Sequence, residues 1–229
     1  MVKSLMLGGD PPVELHLRRS ARARRLSLRV SAVDGHVTLT VPRSASEAEA
    51  RAFANERGDW LRAQLGELSA PVTVTHGAAL PLDGRMHAVI PGDGRSVRIA
   101  DGAVLVPGRA DQVAGRLAGF LRERARARFA ALIRGHCAAL GRPPGRLTLR
   151  DPRTRWGSCS SRGDLMFSWR LVMAPPAVAD YVAAHEVAHL AQMNHSPAFW
   201  AELARLCPGW RTHRAWLRRE GPGLLRYRF

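Results

Sequence analysis

Lysine is almost missing from this 229-residue chain: Lys3 is the only one, so nearly all of the 35 basic residues are arginine. Acidic residues are also few, 19 in all, which leaves a formal net charge of +16. That excess admits a polyanionic partner such as nucleic acid. Tyrosine is scarce, however, with two in the chain. The arginine clusters at 18–25 and at 122–128 hold no interleaved aromatic side chains of the kind on which exposed bases stack, and the cluster in the C-terminal "WLRREGPGLLRYRF" holds few. Arginine in a chain crowded with alanine, glycine and proline is also what a compositionally biased genome would produce, so nucleic acid stays an open alternative.

The three cysteines, Cys137, Cys159 and Cys207, are an odd number without a CxxC pair. This argues against a disulfide framework and against a cysteine zinc knuckle. All three read as reduced thiols, Cys159 as a buried structural residue. No apolar run approaches the roughly 18 to 20 residues needed to span a bilayer. The N-terminal "MVKSLMLGGDPP" lacks the apolar core of a secretory signal, so a cytoplasmic protein is expected, not a membrane protein.

Between residues 13 and 42 the pattern alternates, with Leu26, Leu28 and Val30 on one face and Val37, Leu39 and Val41 after the turn "DGH"; this predicts strand, turn, strand. A helix is expected from Ser44 to about Leu68, capped by Ser46 or Ser44, with Phe53, Trp60, Leu61 and Leu65 on its apolar stripe. Short strands punctuated by DG and PG turns follow. From Asp111 to Leu140 the apolar period becomes helical, and "GRPPG" ends it. "RLTLRD" then reads as a strand, and "SSRGD" as the turn of a hairpin. The pattern predicts an α+β protein with a β-rich N-terminal domain over residues 1–108 and a second domain, which holds the histidine-rich segment, over 109–229.

The segment "APPAVADYVAAHEVAHLAQMNHSPAFW" carries the chemistry. Pro176 suits the first turn of a helix, and Val178, Tyr181, Val182, Val187, Ala188 and Leu190 make that helix apolar on most sides, hence buried. Burial makes His185, Glu186 and His189 costly unless something satisfies them. Spaced four apart, His185 and His189 project from one face and can bind one ion, with Glu186 beside them; this is the HExxH pattern. A bare HExxH also arises by chance, so the third histidine matters. On a continuous helix His195 would lie about 240° round and roughly 9 Å along, out of reach. Asn194 tolerates a helix-ending conformation, and Ser196 with Pro197 reads as the cap and first residue of a new helix. His195 is therefore expected at a joint, swung back toward the pair. Three neutral imidazoles with one open position are the ligand set of a catalytic zinc.

These residues resemble the YgjP/SprT-like family of small zincins, in its YgjP-like branch. "RWGSCSS", "SWRL" and "NHSPAFW" carry the resemblance, which runs over residues 150–217. It implies an α+β zincin-like (minigluzincin-type) core, one zinc ion per chain held by His185, His189 and His195, and Glu186 as the catalytic carboxylate. The spacing also equals that of metzincins, but Gln192 stands where they need glycine and no methionine follows Met193. That assignment is rejected.

The expected activity is peptide hydrolysis by a zinc-activated water, with Glu186 as general base. Two alternatives use the same water: hydrolysis of a nucleotide or phosphoanhydride beside the arginines, and proteolysis of DNA-associated proteins, which demands salt-dependent DNA binding. Tyr181, Asn194, His213, Arg155 and Arg170 are candidates to stabilise the oxyanion. Trp156, Ser158 and Ser160 are candidates to line the cleft, although a tryptophan and glycine in a hairpin read first as packing and turn chemistry. Phe199 and Trp200 are expected to pack the metal helix.

Overall fold

The computed structural model describes residues 3–31, 34–66 and 70–229. It divides into two compact units, Met1–Pro71 and Val72–Phe229. In the first, β1 (Lys3–Leu7), β2 (Val13–Ser20), β3 (Ser27–Val30) and β4 (Val37–Pro42) form a sheet of order β1-β2-β4-β3. The alternation expected for the hairpin is realised in its register: Leu28 lies opposite Leu39, and Val30 opposite Val37. One sheet face thereby becomes largely apolar, and Leu15, Val37, Leu39 and Val41 bury in one cluster with Ala50, Ala54 and Leu61 of the helical layer.

The expected helix over 44–68 is two helices, α1 (Glu47–Glu56) and α2 (Gly58–Gly66), and its last residues, 67 and 68, fall outside those described. Ser46 is the cap: its hydroxyl accepts from the Glu49 N–H at 3.1 Å while the Glu49 carboxylate accepts from the Ser46 N–H at 2.7 Å, so both orphan donors are satisfied reciprocally. Gly58, the residue with the weakest helix preference short of proline, follows the break at Arg57. The buried stripe runs through Ala50, Ala54, Gly58 and Leu61. Trp60, expected on that stripe, lies one position round from Leu61 and is 44% exposed.

In the second unit, β5 (Val72–Thr73) precedes β6 (Ala79–Leu82), β7 (Arg85–Pro91), β8 (Arg98–Ala100) and β9 (Ala103–Val106), the last four forming a sheet of order β6-β7-β9-β8. Helix α3 (Ala110–Leu140) follows and ends at Gly141, which takes the left-handed conformation at φ 70° that glycine adopts without steric cost. Leu80, Leu82, Val89, Val104 and Val106 bury in the same cluster as Val113, Leu117, Leu121 and Phe129 of α3. The expected boundary near residue 108 is thus a change of secondary structure inside one core. The compact units part at 71/72 instead.

Next come β10 (Leu147–Arg150), β11 (Gly157–Cys159) and β12 (Leu165–Ser168), in a sheet of order β10-β12-β11 with β11 at the edge. A 3-10 turn (Trp169–Val172) leads to α4 (Pro176–Ala188), α5 (Pro197–Leu206) and α6 (Trp210–Leu224). A final strand, β13 (Tyr227–Arg228), pairs with β5. No helix of the described residues is long and apolar enough to cross a membrane.

Two ties place the start of α4. The Asp83-Gly84 turn between β6 and β7 has φ of 53° and 77°, as the tightest hairpin turns require; its N–H groups donate to the carbonyls of Val172 and Met173. The Asp83 carboxylate also meets Arg124 and Arg128 of α3, each at 2.5 Å. Burial pushes the Asp83 carboxyl up, but the hydrogen bonds and charges of the two arginines outweigh it and hold it below the usual range. A carboxyl depressed in the folded state contributes stability above its unfolded pKa of about 4, and that contribution is lost as pH falls through the folded value. Asp83→Asn keeps a side chain that tolerates positive φ while stranding two guanidinium groups. It is expected to cost about 2 kcal/mol at pH 7, with the gap to the parent closing in melts toward pH 3. A gap of equal size at both pH values would refute the clamp.

Candidate metal centre

Helix α4 is buried because its sequence leaves it no polar face: Val178, Ala179, Val182, Ala183, Ala184, Val187 and Ala188 are all inaccessible or nearly so. His136 of α3 contacts Asp180 at 2.8 Å, which fixes the helix along its length. The helix ends at His189, and the chain turns before α5 begins at Pro197. The joint has the expected cap, with the Ser196 hydroxyl accepting from the Phe199 N–H at 3.4 Å. Asn194 acts differently from expectation: among the described residues the only non-glycine positions with positive φ are Asp83 and Asp101. Asn194 uses its side-chain oxygen instead, accepting from the Ser196 N–H at 3.3 Å.

This joint brings His195 back over α4. The Nε2 atoms of His185 and His195 face each other at 3.2 Å, and ligand atoms of His185, His189 and His195 all lie within 4.8 Å of one another. The Nδ1 of His189 bonds the Gln192 carbonyl at 3.0 Å. With Nδ1–H as the donor, Nε2 of His189 keeps a free lone pair for a metal. His185 has no such tie: its Nδ1 is buried without a protein hydrogen-bond partner, and packing orients the ring. Phe199, fully buried, puts its ring centroid 5.0, 4.6 and 4.7 Å from those of His185, His189 and His195. Trp200 donates its indole N–H to the His195 carbonyl at 3.1 Å. Phe199 is thus core, as expected, and Trp200 also pins the backbone of the third histidine.

The electrostatics favour the neutral form of His185 and His189. Burial, then repulsion from the other two histidines and from Arg214, lowers the His185 pKa to about 3; burial also lowers that of His189 against the opposing Gln192 hydrogen bond. Neutral imidazole is the form that ligates metal. Glu186 is 6% exposed, and burial raises its pKa to about 7.

Behind Glu186 lies Gly157 of the edge strand β11. A Cβ built there would sit 2.6 Å from the Glu186 Oε1 and 2.9 Å from its Cδ. The glycine of "TRWGSCSS" is therefore required for the strand to approach the carboxylate, not for a turn. An isolated glycine within a strand is a sequence signal for such close approach. Trp156 fits the packing reading: its ring lies against Gly221 of α6. Ser160 serves the hairpin turn, its hydroxyl accepting from the Asp164 N–H at 3.0 Å. Burial first, and then the Glu186 charge, pushes the Cys159 thiol up to about 11, which keeps it protonated beside the site.

The oxyanion candidates separate. Arg170 is buried and fully occupied, paired with both Asp151 oxygens and donating to the carbonyls of Leu224 and Tyr227. Arg155 is exposed, and His213 is half-buried, its Nε2 packed against Gly209. Tyr181 is buried one turn before His185, the ring centroids 6.0 Å apart. Sequence reasoning missed Arg214, whose charge is felt at both Tyr181 and His185. Nothing in a tail rich in arginine singles it out.

No curated protein matches the chain. Among solved structures it is similar to the crystal structure of the metallopeptidase zymogen of Pyrococcus abyssi abylysin, at 23% identity and a TM-score of 0.36, covering 41% of this chain and 92% of that one. The family described as "YgjP-like, metallopeptidase domain" matches residues 24–220, a span that includes β11, all of α4 and α5, and the three histidines. The chain belongs to the YgjP-like metallopeptidase family.

Proposed function

We propose that the protein is a zinc-dependent peptidase in which His185, His189 and His195 hold one zinc ion and Glu186 is the general base. The observation that carries this reading is the convergence of three imidazoles beside a buried glutamate. The donor set suits zinc: three nitrogens and no thiolate leave a position open for chemistry. The His185 and His195 Nε2 atoms are 3.2 Å apart and the ligand atoms of all three histidines lie within 4.8 Å of one another, so the three could share one ion.

The ion, when bound, supplies a Lewis acid that acidifies water and polarises the scissile carbonyl. The chain's own residues do the rest. Glu186 takes a proton from the attacking water and returns it to the departing amine; its burial favours both acts by bringing its pKa close to neutrality. Phe199 packs against all three imidazoles and walls the site on its inner side, while His195 remains exposed. Strand β11 pairs with β12 alone in its sheet, so its outer edge offers backbone donors and acceptors to an extended peptide. That strand, which brings Gly157 directly against Glu186, favours a peptide substrate over a phosphoanhydride. The test is metal analysis of the purified chain with hydrolysis of casein or a peptide library: one zinc per chain, activity lost on chelation and restored by zinc. Full activity in the metal-free chain would overturn the reading.

A further inference from the structure

Helix α6 borders the histidine cluster on the side of α5 and carries an unneutralised basic stripe. Arg211, Arg214 and Arg218 recur at spacings of three and four, on one helical face, and all three are exposed. The carboxylates nearest in sequence are taken: Glu202 is bonded to Arg205 and Glu220 to Arg219.

Arg214 is the member of the stripe tied to the site. Its Cζ lies 5.2 Å from the ring centroid of Trp200 and 6.0 Å from that of Trp210, two indoles stacked at 4.8 Å. Trp200 in turn is 5.6 Å from the His195 ring and 6.4 Å from the His185 ring. The indole platform orients the guanidinium through its face, which leaves the N–H groups along its edge unused. Among the described residues Arg214 makes no hydrogen bond or ion pair. A planar, pre-oriented fork with free donors is the geometry that grips a carboxylate through two parallel bonds. Its exposure places it at the rim of the site, where substrate side chains pass, and not at the reacting carbonyl.

We propose that Arg214 is a specificity-determining residue that binds a carboxylate of the peptide substrate, so that the enzyme selects acidic segments. The proposal rests on the peptidase reading. Cleavage of matched fluorogenic peptides carrying Glu, Gln or Lys at each position flanking the scissile bond tests it, with zinc content measured for every variant. The parent is expected to favour one Glu peptide over its Gln counterpart by about tenfold or more, the size of a charge-assisted pair. The preference should appear mainly in KM. Arg214→Ala should erase it, Arg214→Lys should restore part of it, and Arg214→Glu should turn it toward Lys. Arg219→Ala, removing a guanidinium already paired with Glu220, should keep the parent's ratio. Equal cleavage of all three peptides by the parent, or a Glu preference that survives Arg214→Ala, overturns the proposal.

Binding of a peptide hydroxamate pair, Glu against Gln, to the zinc-loaded chain repeats the comparison without turnover. Hydroxamates that bind equally well overturn the Arg214 assignment alone, whereas failure of both to bind overturns the peptidase reading as well. A labelled single-stranded oligonucleotide that binds the parent and is lost in Arg214→Ala, with no peptide preference, assigns the stripe to nucleic acid and also overturns the proposal.

Discussion

Replacing Glu186 by Gln is expected to lower peptide hydrolysis by about 10²- to 10⁴-fold, the usual contribution of a positioned general base, while zinc content stays at the parent's level. The change is nearly isosteric, so it does not alter the packing of α4 against its surroundings. It removes only the capacity to accept and return a proton. The three imidazoles are oriented by groups that Glu186 does not touch: the Gln192 carbonyl for His189, Trp200 for the backbone of His195, and Phe199 beneath all three rings. The expected split is therefore clean. Loss of zinc together with activity would make Glu186 a structural element of the site, and parent-level activity would remove it from the mechanism.

Gly157→Ala should produce a comparable defect from outside the HExxH pattern. The new Cβ would lie 2.6 to 2.9 Å from the Glu186 Oε1, Cγ and Cδ atoms, distances at which something must move. The strand is held by its antiparallel pairing with β12 and the glutamate by burial, so the carboxylate is the part that yields. A displacement near 1 Å at a catalytic group costs about 10²-fold, and the overpacking itself about 1 to 3 kcal/mol of stability. Zinc should again be retained, because the three atoms nearest a Cβ at 157 all belong to Glu186 and none to a ligand histidine. Activity within twofold of the parent would show that the strand gives way instead and that the close approach has no catalytic role.

The two variants probe parts of the site that differed in legibility. The histidine pair and Glu186 could be read directly, because helical spacing alone dictates which side chains share a face. His195 could be read through local chemistry: Ser196 and Pro197 announce a new helix whatever the rest of the chain does, and the turn they impose brings the ring back. The paired alternation of β3 and β4, the DG turn before Arg85 and the long helix α3 were legible for the same reason. Each is decided by neighbours within a few residues.

Other features depend on contacts that no local pattern encodes. The strands between residues 79 and 106 looked like part of an N-terminal β-rich domain, since their periodicity matches that of the strands before them. Their apolar faces bury with α3 and α4, and burial partners, not periodicity, decide where a core ends. Trp60 follows the same logic, belonging to an apolar run by composition and to the surface by its position one step round from Leu61.

At the site, local sequence chemistry was enough to mark which side chains could gather around a metal, because those side chains lie within eleven consecutive residues of one helix and its joint. Tertiary structure alone decided what surrounds them. Gly157 reaches Glu186 from a strand 29 residues earlier, and Arg214 approaches His185 from a helix 29 residues later. Long-range approach is set by how whole elements pack, and a single sequence records that packing only as the absence of a side chain at 157 or as one arginine among many.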